Sequence, residues 1–220
     1  MTGVAGAITE VRERIVAAAR GAGRDPEAVR LVAATKTVPA ERVAEAVALG
    51  VTDIGENRAQ ELLAKAEVLD AHAASTTVSP CWHFLGRLQR NKVRSLAARV
   101  SWWQSVDREL LGVAIARHAP GARVLVEVNL AGEPQKGGCV PGDAGRLVDA
   151  FRQAGLRVEG LMTIPPAGDD PRPWFAALRE LAGDLGLHEL SMGMTDDFEA
   201  AVAEGATIVR VGRAIFGVRA

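Results

Sequence analysis

RVLVEVNL at Arg123–Leu130, DAGRLVDAFRQA at Asp143–Ala154 and RVEGLMT at Arg157–Thr163 set the pattern of the chain. The first and third segments read as strands, and the second carries helical spacing. A strand, a helical stretch and a second strand form a βαβ unit whose strands run parallel.

The alternation extends in both directions. Upstream, strands are expected at Leu31–Lys36, Thr52–Gly55, Trp82–Leu85 and Ser101–Val106. Helices are expected after them over Glu41–Leu49, Arg58–Ala71, Asn91–Ala98 and Arg108–His118. Downstream come a helix over Trp174–Leu185, a strand at Glu189–Met192, a helix over Asp196–Glu204 and a strand at Thr207–Gly212. A short helical tail starts at Arg213. Eight strands, each followed by a helix, match an α/β fold of the (β/α)8 TIM-barrel type. An open doubly wound sheet is the alternative. The strand count and the lack of a GxGxxG after the first strand favour the barrel. Ile8, Val11, Ile15 and Val16 repeat with helical spacing, so an extra N-terminal helix is expected, ended by Gly21 and Gly23. Asp25, Pro26 and Glu27 read as N-cap, first position and first-turn acid of a short helix. No internal repeat is evident, and Ala73–Pro80 reads as a loop. Residues 1–220 thus read as one domain.

Composition narrows the function. Of 220 residues, 48% are hydrophobic and 24% charged, which is the globular mixture and excludes disorder. The net charge of −1 gives no general pull toward nucleic acid or an anionic membrane. Cys81 and Cys139 sit in no CxxC or Cys/His cluster, which excludes a zinc finger or disulfide scaffold and fits a reducing cytoplasm. The opening MTGVAGAITEVRERIV is charged where a signal peptide needs an apolar core. Tyrosine is absent, and only Lys36, Lys65, Lys92 and Lys136 are lysines among 26 basic residues.

In a TIM barrel, function sits where the strands end. Lys36 closes the first strand. A lysine interrupting an apolar strand is either snorkelling or partly desolvated, and a desolvated lysine is a nucleophile toward aldehydes. Asn57 follows the second strand, as a ligand contact or a helix N-cap. His83 in the third strand reads as an acid, a base or a satisfied core histidine. The ends of strands seven and eight, Ser191-Met192-Gly193-Met194 and Gly212-Arg213, hold small residues before helix starts, where barrels bind phosphate. Asp196 and Asp197 would oppose an anion there. Strand alternation puts Arg210 on the same face as Ile208, so it needs an acid partner or a ring nitrogen. Arg87, Arg90, Lys92 and Arg94 read as a solvated helix face, the rival being a nucleic-acid patch. A lysine amine, an anion turn and an arginine aimed at a ring nitrogen describe a site for pyridoxal 5′-phosphate (PLP).

LVAATKTVP, IGENRAQEL, WHFLGRLQRNK, VNLAGEPQKGG, GLMTIPP and LSMGMTDDFEAAVAEGATIVRVGRAIFG run in order from Leu31 to Gly217. Together they resemble the pyridoxal phosphate homeostasis protein family. That resemblance implies a barrel like the N-terminal domain of alanine racemase and PLP as cofactor. It matches Lys36 to the lysine that carries PLP as a Schiff base. It matches Ser191, Gly193, Gly212 and Arg213 to the phosphate turns, and Arg210 to the arginine near the pyridine nitrogen. Asn57 and Met162 match pocket-lining positions. One departure is Arg213, where the family usually has Thr or Ser, so a side-chain hydroxyl on the phosphate is in question.

The resemblance further implies a protein that binds PLP and serves vitamin B6 and amino-acid balance, with no dedicated turnover expected. An arginine opposite the ring nitrogen disfavours its protonation and weakens the ring as an electron sink. A two-base racemase would call for a tyrosine and a C-terminal β domain, and neither is read here. A PLP-dependent racemase or other slow PLP enzyme and a cofactor-free Schiff-base aldolase are the rivals. PLP-dependent apo-enzymes are the partners implied, with no nucleic acid, metal or membrane. A cytoplasmic monomer is expected.

Overall fold

The computed structural model describes residues 3–73 and 80–217. Eight parallel strands close into a barrel, each paired with the next and the last with the first. They are β1 Arg30–Ala34, β2 Asp53–Glu56, β3 Cys81–Phe84, β4 Val100–Val106, β5 Arg123–Glu127, β6 Arg157–Met162, β7 Glu189–Ser191 and β8 Ile208–Val211. The helices are α1 Val4–Gly21, α2 Ala40–Ala48, α3 Ala59–Ala73, α4 Val93–Leu96, α5 Glu109–His118, α6 Ala144–Gln153, α7 Arg172–Asp184, α8 Phe198–Ala203 and α9 Arg213–Phe216. The expected (β/α)8 TIM barrel with an added N-terminal helix is present. The loop expected over Ala73–Pro80 lies mostly outside the described residues.

Several strands end earlier than expected, because the chain turns into the barrel mouth. β1 stops at Ala34, two residues before Lys36. β5 stops at Glu127, and Val128 makes an isolated bridge to Cys139. The helix expected over Asn91–Ala98 is a 3-10 turn at Arg90–Lys92 followed by the single turn of α4. Asp25 caps as expected, accepting a hydrogen bond of 3.0 Å from the Glu27 amide. Of the basic run, Arg87, Arg90 and Arg94 are exposed. Cys81 and Cys139 are both free thiols.

Burial explains the spacing read from α1. Its Ile8, Val11 and Ile15 are buried and pack it onto the barrel's flank beside α8. Arg14 seals that contact, with its guanidinium 4.6 Å from the Phe198 ring centre and an ion pair to Glu199. Most apolar side chains pack between strands and helices. A second, smaller group fills the bore: Val32, Leu85, Trp102, Leu125, Met162 and Ile208. At the N-terminal end of the bore, Arg30 and Arg123 stand 4.9 and 5.3 Å from the Trp102 ring.

The barrel closes tightly where β6 meets β7. A methyl group at Gly160 would lie 1.8 Å from the Glu189 carbonyl oxygen, and that backbone cannot move without breaking the sheet. Gly142, in a surface turn, has open space. Gly160→Ala should therefore lower the unfolding free energy by about 3 kcal/mol in urea titration. Gly142→Ala should stay within about 0.5 kcal/mol of wild type.

Candidate functional site

A cavity of about 580 Å³ opens at the C-terminal ends of the strands. Five of the residues the resemblance matched to PLP contacts line it: Lys36, Asn57, Arg210, Gly212 and Arg213. They come from opposite ends of the chain, and the β1–β8 pairing brings them together. Gly212 makes this approach close, since a methyl group there would meet the Ala34 carbonyl oxygen at 2.9 Å.

The segment bearing Lys36 is held on both sides. Before it, Thr35 is buried, and its hydroxyl donates 2.7 Å to Glu56. Lys65 reaches up from α3, donating 2.7 Å to the Thr35 carbonyl and pairing with Glu56. After it, the Thr37 amide donates 2.9 Å to Glu61. Thr37 is the only non-glycine residue at positive φ among those described, at 64°. Such backbone persists where surrounding bonds enforce it. The sequence places Lys36 at the end of the first strand, either snorkelling or partly desolvated. It stands instead on this turn, with its side chain exposed toward the cavity mouth. The turn therefore makes the amine accessible, and burial plays no part in that. Of the two roles open to Asn57, the helix N-cap is not the one found, because α3 begins at Ala59.

Arg210 is buried in β8, and burial pushes its guanidinium down to about 10, against the pull of Asp197 and Glu127. It donates 2.6 Å to the Ser191 hydroxyl and 2.9 Å to the Thr163 carbonyl. Ser191 thus departs from the role expected of it. Its hydroxyl lies inside the barrel, donates 2.6 Å to Gln104 and does not line the cavity. Gly193 also faces away. Its φ of 90° and missing side chain let the turn pack on α8, where a methyl group would stand 2.5 Å from Ala201. Met162 is fully buried in the bore and does not line the cavity; Ile164, two residues on, does.

The rim near β7 and β8 carries Thr195, Asp196 and Arg213. Arg213 pairs with Asp196, and both are largely exposed. The Thr195 hydroxyl accepts from the Ala214 amide at 3.4 Å. Thr195 was passed over in the sequence, although it directly follows Ser191-Met192-Gly193-Met194. Arg42 was passed over too. It lies on the cavity wall with its guanidinium on the Phe216 carbonyl at 2.9 Å. The lining holds four cations, Lys36, Arg42, Arg210 and Arg213, against one carboxylate, Asp196. Such a site attracts anions. Glu127, at the end of β5, is nearly buried. Burial and the nearby Asp107 push its carboxyl up to about 7.

His83 is a satisfied core histidine. Its ring lies parallel to Trp102, with centroids 5.8 Å apart. Gln104 donates 2.7 Å to Nδ1, and Nε2 lies 2.9 Å from Asp53. Asp53, Cys81 and His83 form the one group of potential metal ligands among the described residues. The hydrogen that Gln104 leaves on Nε2 is spent on Asp53.

A family model described as the alanine racemase N-terminal domain matches residues 9–220. The chain is 44% identical over 229 residues to the pyridoxal phosphate homeostasis protein of Pseudomonas aeruginosa, covering all of this chain and 97% of that one. Among solved structures it resembles an unknown protein from Bifidobacterium adolescentis, with a TM-score of 0.88 and 38% identity over 97% of this chain and 94% of that one. It also resembles PipY of Synechococcus elongatus with PLP bound, with a TM-score of 0.83 and 33% identity over 97% of this chain and 100% of that one. The chain belongs to the alanine racemase N-terminal domain family and, within it, to the pyridoxal phosphate homeostasis proteins.

Proposed function

We propose that the cavity holds PLP through Lys36 and that the protein carries and regulates this cofactor for vitamin B6 and amino-acid balance. The observation behind this reading is one cavity that combines an accessible lysine amine with a buried arginine and a cationic rim. Its volume suits a ligand of this size. PLP, when bound, supplies an aldehyde that condenses with an amine and a ring that withdraws electrons.

The residues divide by task. Lys36 Nζ is the amine that takes the aldehyde. Thr195, Gly212 and Arg213 receive the phosphate, with the Thr195 hydroxyl taking the part the family usually gives to the position of Arg213. Arg210 offers N–H groups to the ring nitrogen and leaves that nitrogen unprotonated. Asn57 lines the wall. Ser191, Gly193 and Met162 act from behind it. Ser191 accepts from the Arg210 side chain, the Gly193 carbonyl accepts from the Arg210 amide at 2.9 Å, and Met162 packs the bore.

This arrangement favours holding over turnover. A donor at the ring nitrogen limits the electron sink, and no histidine or tyrosine stands among the cavity-lining residues described. The protein acts as a single-domain monomer in the cytoplasm, with PLP-dependent apo-enzymes as recipients. No described helix is long and apolar enough to cross a membrane.

Two outcomes are expected. Borohydride reduction in the presence of PLP, followed by peptide mass mapping, should place the adduct on Lys36. Lys65, which is buried, should stay unmodified, as should Lys92 and Lys136. Lys36→Ala should weaken PLP binding by at least about tenfold. Separately, Lys65→Met should destabilise the fold by about 3–5 kcal/mol in urea titration, because it strands the buried Glu56 carboxylate. Adding Glu56→Gln should recover part of that loss, since Gln removes the stranded charge and still accepts from Thr35 but turns its NH2 to the Asn57 amide.

A further inference from the structure

Four hydrogen bonds run through the bore from the cavity toward its other end. Arg210 donates 2.6 Å to the Ser191 hydroxyl, and Ser191 donates 2.6 Å to Gln104 Oε1. The Gln104 amide stands 2.7 Å from His83 Nδ1, and His83 Nε2 stands 2.9 Å from Asp53 Oδ1. These side chains come from β8, β7, β4, β3 and β2, and Ser191, Gln104 and His83 are fully buried. Asp53 is the first residue of β2, so the chain ends on the N-terminal face of the barrel. There Asp53 lines a second cavity of about 390 Å³ with Arg12 and Arg30.

The two ends fix the direction of every link. A guanidinium only donates and a carboxylate only accepts. Ser191 must therefore accept from Arg210 and pass its own hydrogen to Gln104. Gln104 then presents its NH2 to His83 Nδ1, and the hydrogen of the neutral ring lies on Nε2, facing Asp53. Burial keeps His83 below the usual histidine range despite the pull of Asp53. At Asp53 burial acts the other way, but hydrogen bonds from His83 and Thr52 outweigh it and hold the carboxyl below its ordinary range.

We propose that Asp53, His83 and Gln104 are positioning residues for Arg210. Their one-way chain keeps the Ser191 oxygen turned to the guanidinium as an acceptor and holds Arg210 in place as a donor to the ligand ring. The proposal rests on the PLP reading above. Without the Asp53 acceptor, the His83 hydrogen gains nothing by staying on Nε2. A shift to Nδ1 would turn the Gln104 oxygen toward His83 and its NH2 toward Ser191. Ser191 would then face donors on both sides, with its own hydrogen left over. The guanidinium would keep the Thr163 carbonyl but share the Ser191 oxygen with Gln104, so its hold would loosen although no residue of the cavity had changed.

The test pairs PLP titrations with nitrogen NMR. In the PLP-free wild type, correlated spectra of the histidine rings, assigned with His83→Gln, should show His83 neutral with its hydrogen on Nε2. In PLP-loaded protein, Gln104→Leu should raise the PLP dissociation constant about tenfold. It should also move the pH midpoint of the visible PLP band by about one unit. Asp53→Leu should move both in the same direction. Asp53→Asn, which still accepts from His83, should restore wild-type behaviour even if Gln104→Leu fails to fold. A folded Gln104→Leu or Asp53→Leu with wild-type affinity and midpoint would overturn the proposal, as would a hydrogen on Nδ1. If wild-type protein takes no PLP on Lys36, the PLP reading fails and this role with it. The NMR result would still report the direction of the chain, so the two failures are distinguishable.

Discussion

A guanidinium inside an apolar strand is expensive to keep, and Arg210 is 4% exposed. Even pushed down to about 10, it remains charged at neutral pH. The barrel answers that charge from several strands. Ser191 and the Thr163 carbonyl accept its hydrogens, while Asp197 and Glu127 supply opposite charge. Satisfying Ser191 then requires Gln104, satisfying Gln104 requires His83, and His83 requires Asp53. Much of the polar content of the bore follows from placing one cation beneath the cavity.

Lys36 stands under a different constraint. Its reach into the cavity depends on the backbone of Thr35 and Thr37, which β2 ties down through Glu56 and α3 through Glu61 and Lys65. Lys65 is the buried lysine and Lys36 the exposed one. The first spends its charge on holding the turn, and the second lines the cavity with its side chain exposed. The two anchors meet because β1 and β8 are neighbours in the closed barrel.

The barrel was legible because parallel strands alternating with helices leave a regular hydrophobic rhythm. Lys36, Asn57, Gly212 and Arg213 were legible as residues at strand ends, and Arg210 as a charge inside an apolar strand. Side-chain direction was not. Ser191 and Thr195 lie four residues apart in one motif, and only folding shows that the first turns into the bore and the second onto the rim. The glycine at 193 announced a close approach, but not that α8 was the partner. Lys36 falls inside the expected strand Leu31–Lys36, whereas β1 ends two residues earlier and leaves it on a turn. Glu127 interrupts an apolar strand just as Arg210 does, and the same reasoning could have found it. The Asp53–His83–Gln104 chain had no sequence signal, since its members are scattered over three strands.

The most direct measurement is a crystal structure of the protein grown with PLP. The account predicts electron density continuous with Lys36 Nζ and the phosphate against Thr195 and Gly212. It also predicts the ring nitrogen about 3 Å from the Arg210 guanidinium. PLP bound elsewhere on the barrel, or seated on Lys36 with its ring nitrogen turned to a carboxylate, would contradict it.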